Sequence, residues 1–197
     1  ERLENIIIPN LEARRDKKSF WFEGEWYTGK DFLEIIENCE KVLRNAGFSK
    51  GQRLVVMLKN SPLIPAISLA VWKLGGIFCP LNEKAGSDAL KNTLKLIKPF
   101  AVITGRELPA EIEESWSCVM CDIHDVTIKN FTGKAQDPEP ESYAVIFSTS
   151  GTTGNPKAVP LTHMNLISNI RATKENVYPL NEHDTFLTVL PISIRSD

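Results

Sequence analysis

The sequence predicts an α/β fold, with a largely parallel sheet and helices on both faces. Three observations carry that expectation. The runs 54–58 and 77–79 are short and almost continuously apolar, the pattern of strands buried on both sides. Between such runs lie segments whose apolar residues recur at helical spacing and are long enough to cross back over a sheet. Glycine, proline and hydroxyl residues punctuate the transitions, as at Gly47, Ser61-Pro62 and Gly75-Gly76. Repeated βα units of this kind build parallel sheets with right-handed crossovers. A chain of 197 residues can bury a sizeable core as one large or two small domains.

Each element has a local reason. Segments 19–22 and 25–28 flank Glu23-Gly24 and read as a hairpin. From 30 to 46, Phe32, Leu33, Ile35, Ile36, Cys39, Val42, Leu43 and Ala46 line one helical face, and Gly47 is a natural stop. After strand 54–58, a helix over 62–74 is expected, with Ser61 capping it and Pro62 in its first turn. Gly75-Gly76 breaks it before strand 77–79. A helix over 88–98 and strands over 100–104 and 118–121 follow. The stretch 132–142, with Gly133, Pro138 and Pro140 among acidic residues, reads as an exposed linker before the segment 143–197. That segment should hold a strand over 143–147, a helix over 163–176 begun by Thr162-His163 with Thr162 as cap, and a last strand over 185–190.

Composition excludes several functions. Lys and Arg number 23 against 25 Asp and Glu, a net charge of −2, so nothing favours nucleic acid or an anionic membrane surface. The basic run 14–18 is interrupted by Asp16 and reads as a solvated helix end. No apolar run reaches the roughly 18–20 residues of a membrane span. The opening Glu1-Arg2-Leu3-Glu4 is no signal peptide; the expectation is a cytoplasmic protein whose gene product begins upstream. Cys118 and Cys121 have zinc-like spacing with His124 nearby, yet no second ligand pair follows. On a strand they would face opposite sides, so the four cysteines are expected to be structural and no metal ligand is assigned. His124 and His183 are expected at the surface, and Glu113-Glu114 and Glu139/Glu141 on solvated faces.

The informative stretch is Ser148-Thr149-Ser150-Gly151-Thr152-Thr153-Gly154-Asn155-Pro156-Lys157. Five hydroxyls, two glycines and a lysine follow directly on an apolar strand. Glycines let backbone N–H groups approach a ligand closely, and successive inward N–H groups make an anion-holding concavity. At the carboxyl end of a strand in an α/β sheet, that is where ligands sit. The bland alternative is a plain turn, since Ser, Thr and Gly also serve that purpose. A Walker loop is excluded, because Pro156 stands where its second glycine is required and Ala158 where Ser or Thr should follow the lysine. The dinucleotide fingerprint fails as well, its glycines being spaced G-x-G-x-x-G.

The run 149–157 instead resembles the phosphate loop of adenylate-forming enzymes, the superfamily of acyl-CoA synthetases, luciferases and peptide-synthetase adenylation domains, whose pattern is close to [ST]-S-G-[ST]-[ST]-G-x-P-K-G; Ala158 replaces the last glycine. Val159-Pro160-Leu161-Thr162-His163-Met164-Asn165-Leu166 is similar to the family's V-x-L-T-H-x-N-L. Upstream, 26–33 loosely resembles T-Y-x-E-L, 47–56 resembles G-[VI]-x-x-G-D-x-V-A-[IV] with Gln52 for the aspartate, and Asn60-Ser61 with Ala70, Gly75-Gly76-Ile77 and Pro80-Leu81 follows the family's order. Resemblance implies that ATP and a carboxylic acid form an acyl-adenylate and pyrophosphate with Mg²⁺. A thiol of coenzyme A or of an acyl carrier protein then takes the acyl group. It implies that Thr149, Ser150, Gly151, Thr152, Thr153, Gly154 and Lys157 hold the β- and γ-phosphates, with Lys157 acting on the departing pyrophosphate. Where the family often reads L-P-x-[FY]-H, this chain has Leu190-Pro191-Ile192-Ser193-Ile194, an altered acyl site. Family members are about three times longer, so the chain is expected to be the N-terminal subdomain of an AMP-binding domain, inactive alone. A non-catalytic adenylation-like module is the alternative.

Overall fold

A computed structural model describes residues 1–150, 156–176, 181 and 184–188. In chain order its elements are α1 (Leu3–Ala13), β1 (Lys18–Phe22), β2 (Glu25–Thr28), α2 (Gly29–Asn45), β3 (Arg53–Met57), α3 (Leu63–Lys73), β4 (Ile77–Pro80), α4 (Ser87–Ile97), β5 (Ala101–Thr104), α5 (Ala110–Ser115), β6 (Cys118–Met120), β7 (Tyr143–Ser150), β8 (Pro156–Thr162) and α6 (His163–Asn176). The strands β1 and β2 form a separate antiparallel pair, while the other six make one sheet in the order β6-β5-β3-β4-β7-β8. All neighbours in it are parallel except the last pair. The predicted class is therefore the one observed.

All five residues of β3 are buried. Leu54 and Val56 face one apolar cluster with α2 and α3, whereas Val55 and Met57 face a second with α4. The period-2 alternation of a strand thus feeds two cores at once, which explains the unbroken apolar run. On α2, a reciprocal cap fixes the start: Asp31 N donates to Thr28 Oγ1 at 3.2 Å, and Thr28 N donates back to Asp31 Oδ2 at 2.7 Å. The Thr28 N–H and hydroxyl, both donating to Asp31 Oδ2, hold that carboxyl below its usual range. Gly47, at φ +92°, supplies the left-handed residue that ends the helix.

Several expectations need correction. Ser61 does not cap α3; the capping position is Pro62, with no side-chain bond, and the Ser61 hydroxyl is buried without a partner among the described residues. The strand expected over 143–147 runs on to Ser150, and 156–162 pairs back against it as β8. Pro156 and Pro160 are tolerated there because β8 ends the sheet and its outer edge needs no donors. Residues 185–188 are not a strand; 189 and 190 lie outside the described residues. Helix α1 ends at Ala13, beside the basic run read as a helix end, whereas α5 was not anticipated. No helix among the described residues is long and apolar enough to cross a membrane.

Residues 132–142 are mostly exposed and form no helix or strand, yet they are fastened under the amino ends of β3 and β5. The amide of Gln52 bonds reciprocally with the backbone of Gln136, a use for the glutamine that replaces the family's aspartate. Arg53, nearly inaccessible, donates to Lys98 O at 3.2 Å, Asp137 O at 2.9 Å and the Glu139 carboxylate at 3.3 Å. Gly133 lies flat on Phe100, so that a Cβ there would come within 2.1 Å of the ring. Phe100 is itself wedged edge-on against Phe48 and Phe131 and has no room to retreat. Replacing Gly133→Ala should therefore cost about 1–3 kcal/mol by overpacking. Urea unfolding measures this, and an unchanged midpoint would contradict the packing described.

Candidate functional site

The chemistry-bearing run sits on a hairpin. Strands β7 and β8 pair from Tyr143↔Thr162 at the base to Thr149↔Lys157 and Ser150↔Pro156 near the tip. The tip therefore lies at the carboxyl end of β7, on the side of the sheet where α/β proteins place ligands. Cross-strand partners stand roughly 5 Å apart and share a face, so the Thr149 hydroxyl and the exposed Lys157 ammonium belong to one patch. Gly151, Thr152, Thr153, Gly154 and Asn155 lie outside the described residues, as does the side chain of Ser150. Of the site residues expected from sequence, the structure brings together Thr149 and Lys157, with the backbone of Ser150 between them and the tip.

Ser148 is used differently. Its hydroxyl meets Thr93 Oγ1 of α4 at 3.3 Å, binding the hairpin to the helix beneath it. A strand alternates sides, so Ser148 turns inward and Thr149 is left for the opposite face.

At the base, Thr162 and Asn165 cap α6 reciprocally: Asn165 N donates to Thr162 Oγ1 at 3.1 Å, and Thr162 N to Asn165 Oδ1 at 2.9 Å. Thr162 thus caps as expected, and His163 begins the helix. His163 is 2% exposed. Its Nδ1 accepts the Leu3 N–H at 3.2 Å, which puts the proton of the neutral ring on Nε2. Trp72 approaches edge-on at 5.7 Å between centroids, and the Glu4 carboxylate stands 3.8 Å from Nδ1. Burial, reinforced by the Arg2 cation, pushes the imidazole down to about 4. Trp72 Nε1 donates to Ala144 O at 2.8 Å, and Arg2 reaches Glu141 O and Trp72 O, each at 3.0 Å. The roles of Arg2, Trp72 and Thr93 were missed, because each acts across long sequence separations that no local pattern records.

Other candidates fall away. Cys118 belongs to the α4 side of the sheet and Cys121 to the other; burial raises both thiols to about 11, and Cys39 and Cys79 to about 12. Thiols so seldom ionised are poor nucleophiles and ligands. Among the described residues no three of His, Cys, Asp and Glu gather as a metal site. His124 is exposed and bonded to Glu23 at 2.6 Å, which raises its pKa. His183 lies outside the described residues, as do 190–194 of the altered acyl motif.

Comparison with known proteins gives this hairpin its context. Residues 9–195 match the family described as "AMP-binding enzyme". The chain belongs to that family. Within it, the chain is 33% identical over 134 residues to nonribosomal peptide synthetase SIDC of Beauveria bassiana, covering 66% of this chain and 3% of that protein. It is 27% identical to long-chain-fatty-acid–CoA ligase 1 of Cavia porcellus, over 94% of this chain and 31% of the ligase. Among solved structures, o-succinylbenzoate CoA synthetase from Bacillus subtilis, in complex with its acyl-adenylate intermediate OSB-AMP, superposes with a TM-score of 0.77 at 19% identity, over 97% of this chain and 50% of that one. The N-terminal subdomain of Klebsiella oxytoca NpsA gives 0.66 at 22% identity, over 83% and 42%. These two likenesses are of fold. The chain spans half or less of the length of each of these relatives.

Because the unfolded chain holds His163 near its ordinary pKa of 6.5 and the folded one near 4, the unfolded state binds more protons between those values. Stability contributed by the neutral ring is complete above about pH 6.5 and is lost as pH falls toward 4. A loss on the order of 1–3 kcal/mol is expected over that window. In His163→Asn, which keeps an acceptor near the Nδ1 position but cannot titrate, the slope should flatten. Equal slopes from urea melts of the two proteins at stepped pH would contradict this.

Proposed function

We propose that the protein carrying this chain activates a carboxylic acid with ATP, and that the tip of the β7–β8 hairpin receives the triphosphate. The observation that supports this most directly is the register pairing of Thr149 with Lys157 at the carboxyl end of β7. A hydroxyl donor and an ammonium flank the seven residues 150–156, in which Gly151, Thr152, Thr153 and Gly154 follow one another. Small residues and hydroxyls there would let backbone N–H groups and side-chain donors close on the β- and γ-phosphates.

In the proposed reaction a carboxylate oxygen of the acid attacks the α-phosphorus of ATP. An O–P bond forms as the bond from the α-phosphorus to the bridging oxygen breaks, and pyrophosphate departs with the electron pair. Such displacements are accelerated chiefly by position and charge. Lys157, a compact cation on a flexible stem, would meet the charge that grows on the leaving pyrophosphate, and Thr149, Ser150, Thr152 and Thr153 would fix its orientation. Mg²⁺ supplies further charge neutralisation to a bound triphosphate. The described residues offer it no cage, so we assign it to phosphate oxygens and later parts of the protein. A thiol, of coenzyme A or of a carrier protein's pantetheine, would then attack the acyl carbon and release AMP. The relatives include both a CoA ligase and peptide synthetases, and both acceptors fit this reading. We assign the activity to the longer protein, since the catalytic lid that closes such sites would come from outside these residues.

Incubating the full-length protein with ATP, Mg²⁺, labelled pyrophosphate and a panel of fatty, aromatic and amino acids should give acid-dependent exchange of label into ATP. Lys157→Ala should lower kcat/KM about tenfold to hundredfold without changing the unfolding midpoint. Hydrolysis of ATP that needs no acid would point to a hydrolase, and no exchange across the panel to a non-catalytic module; either would overturn the proposal.

A further inference from the structure

The hairpin packs into the sheet through Ala144, Val145 and Ile146 and is further tied at its base by polar groups. A single register pair, Phe78↔Val145, joins β7 to β4 among the described residues, and β8 is a largely exposed edge. At the base, several polar groups converge on one knot. His163 N donates to Ser142 O at 3.0 Å and closes the hairpin, Trp72 Nε1 holds Ala144 O, and Arg2 holds Glu141 O and the Trp72 carbonyl. The same guanidinium is fixed by Glu4 Oε1, 2.5 Å from Arg2 Nε, and the Leu3 N–H ends on His163 Nδ1.

Two atoms of this knot, Glu4 Oε2 and His163 Nε2, are buried with no partner among the described residues. Unpaired buried polar atoms each cost free energy, and an apolar side chain in place of His163 would remove one of them only by leaving the Leu3 N–H without its acceptor. The remaining polar atoms of His163 and Glu4 are committed to Leu3 and Arg2, which fixes the hairpin base against α1. Geometry says what that position governs. Strand β7 rises about 20 Å from base to tip, so a tilt of about 5° at the base displaces the tip by about 2 Å. Misplacement of that size is enough to spoil a phosphate-binding geometry. Thr93 restrains the hairpin from the α4 side through Ser148, and the knot restrains it from the α1 and α3 side.

We propose that Arg2, Glu4 and His163 form a clasp by which the amino-terminal helix sets the tilt of the β7–β8 hairpin, and so positions Thr149 and Lys157 for the triphosphate. They are positioning residues, and the inference rests on the nucleotide reading given above. The clasp makes α1, remote in sequence from the tip, a determinant of ATP affinity.

The test compares full-length wild type with His163→Leu, His163→Asn and Arg2→Met, the last at a partly exposed residue whose loss the fold can tolerate. Ile112→Ala, in the fully buried side chain of α5, serves as a destabilised control away from the hairpin. Hydrogen exchange should quicken across 143–149 and 157–162 in His163→Leu and Arg2→Met, while β3 and β5 keep their protection. The KM for ATP should rise about fivefold or more, with the KM for the acid within about twofold. His163→Asn should restore both readouts, and Ile112→Ala should move neither. Unchanged exchange in the hairpin, or an equal rise in ATP KM in Ile112→Ala, would overturn the clasp. If wild type consumes no ATP, the nucleotide reading fails by itself, and hairpin exchange still decides whether the clasp holds the tilt.

Discussion

Burial of β3 on both faces is the constraint from which the other elements take their places. Leu54, Val55, Val56 and Met57 supply apolar side chains alternately to the α2–α3 layer and to the α4 layer, so neither layer can be removed without exposing the strand. The carbonyls and amides along it are taken up by β4 on one side and β5 on the other. A parallel strand needs a crossover to reach its neighbour. Here α3 passes over one face to β4 and α4 returns across the other to β5, so the chain reverses direction beside β3. The buried Arg53 at the amino end extends the same logic to irregular backbone. Its guanidinium converts the segment 132–142 from a free connection into one fastened by the Asp137 carbonyl and the Glu139 carboxylate.

The candidate hairpin reaches beyond this core. β7 begins inside it, with Ala144, Val145 and Ile146 buried, and ends outside it at the hydroxyl-rich tip. An arrangement of this kind separates two demands. The root must be immobile, and the buried knot of Arg2, Glu4, Trp72 and His163 provides that. The tip must be small and rich in donors, and residues that meet this need contribute little to packing. Membership of the AMP-binding enzyme family fits a fold that displays such a tip at the carboxyl end of a sheet.

Much of this was legible in the residues. β3 and β4 announce themselves as unbroken apolar runs, α2 by its apolar face and the Gly47 stop, and the candidate site by a spacing of Gly, Ser, Thr, Pro and Lys that neither the Walker nor the dinucleotide motif satisfies. What escaped shares a physical character. Ser61 looked like a cap, yet the chain turns so that its hydroxyl is buried and unused, a choice made by packing rather than by propensity. Prolines 156 and 160 are unfavourable inside a sheet, and the place of β8 at its edge makes them harmless. The partnership of His163 with Leu3 spans 160 residues, and that of Thr93 with Ser148 spans 55. Contacts of that range depend on the assembled fold, and no window of local sequence contains them.

The central claim is that the hairpin tip cups the tail of ATP. A crystal structure of the full-length protein with a non-hydrolysable ATP analogue tests it most directly. The account predicts the β- and γ-phosphates within hydrogen-bonding distance of the Lys157 ammonium and of hydroxyls and amides between 149 and 154. A triphosphate bound elsewhere, with this hairpin turned away from it, would contradict the account.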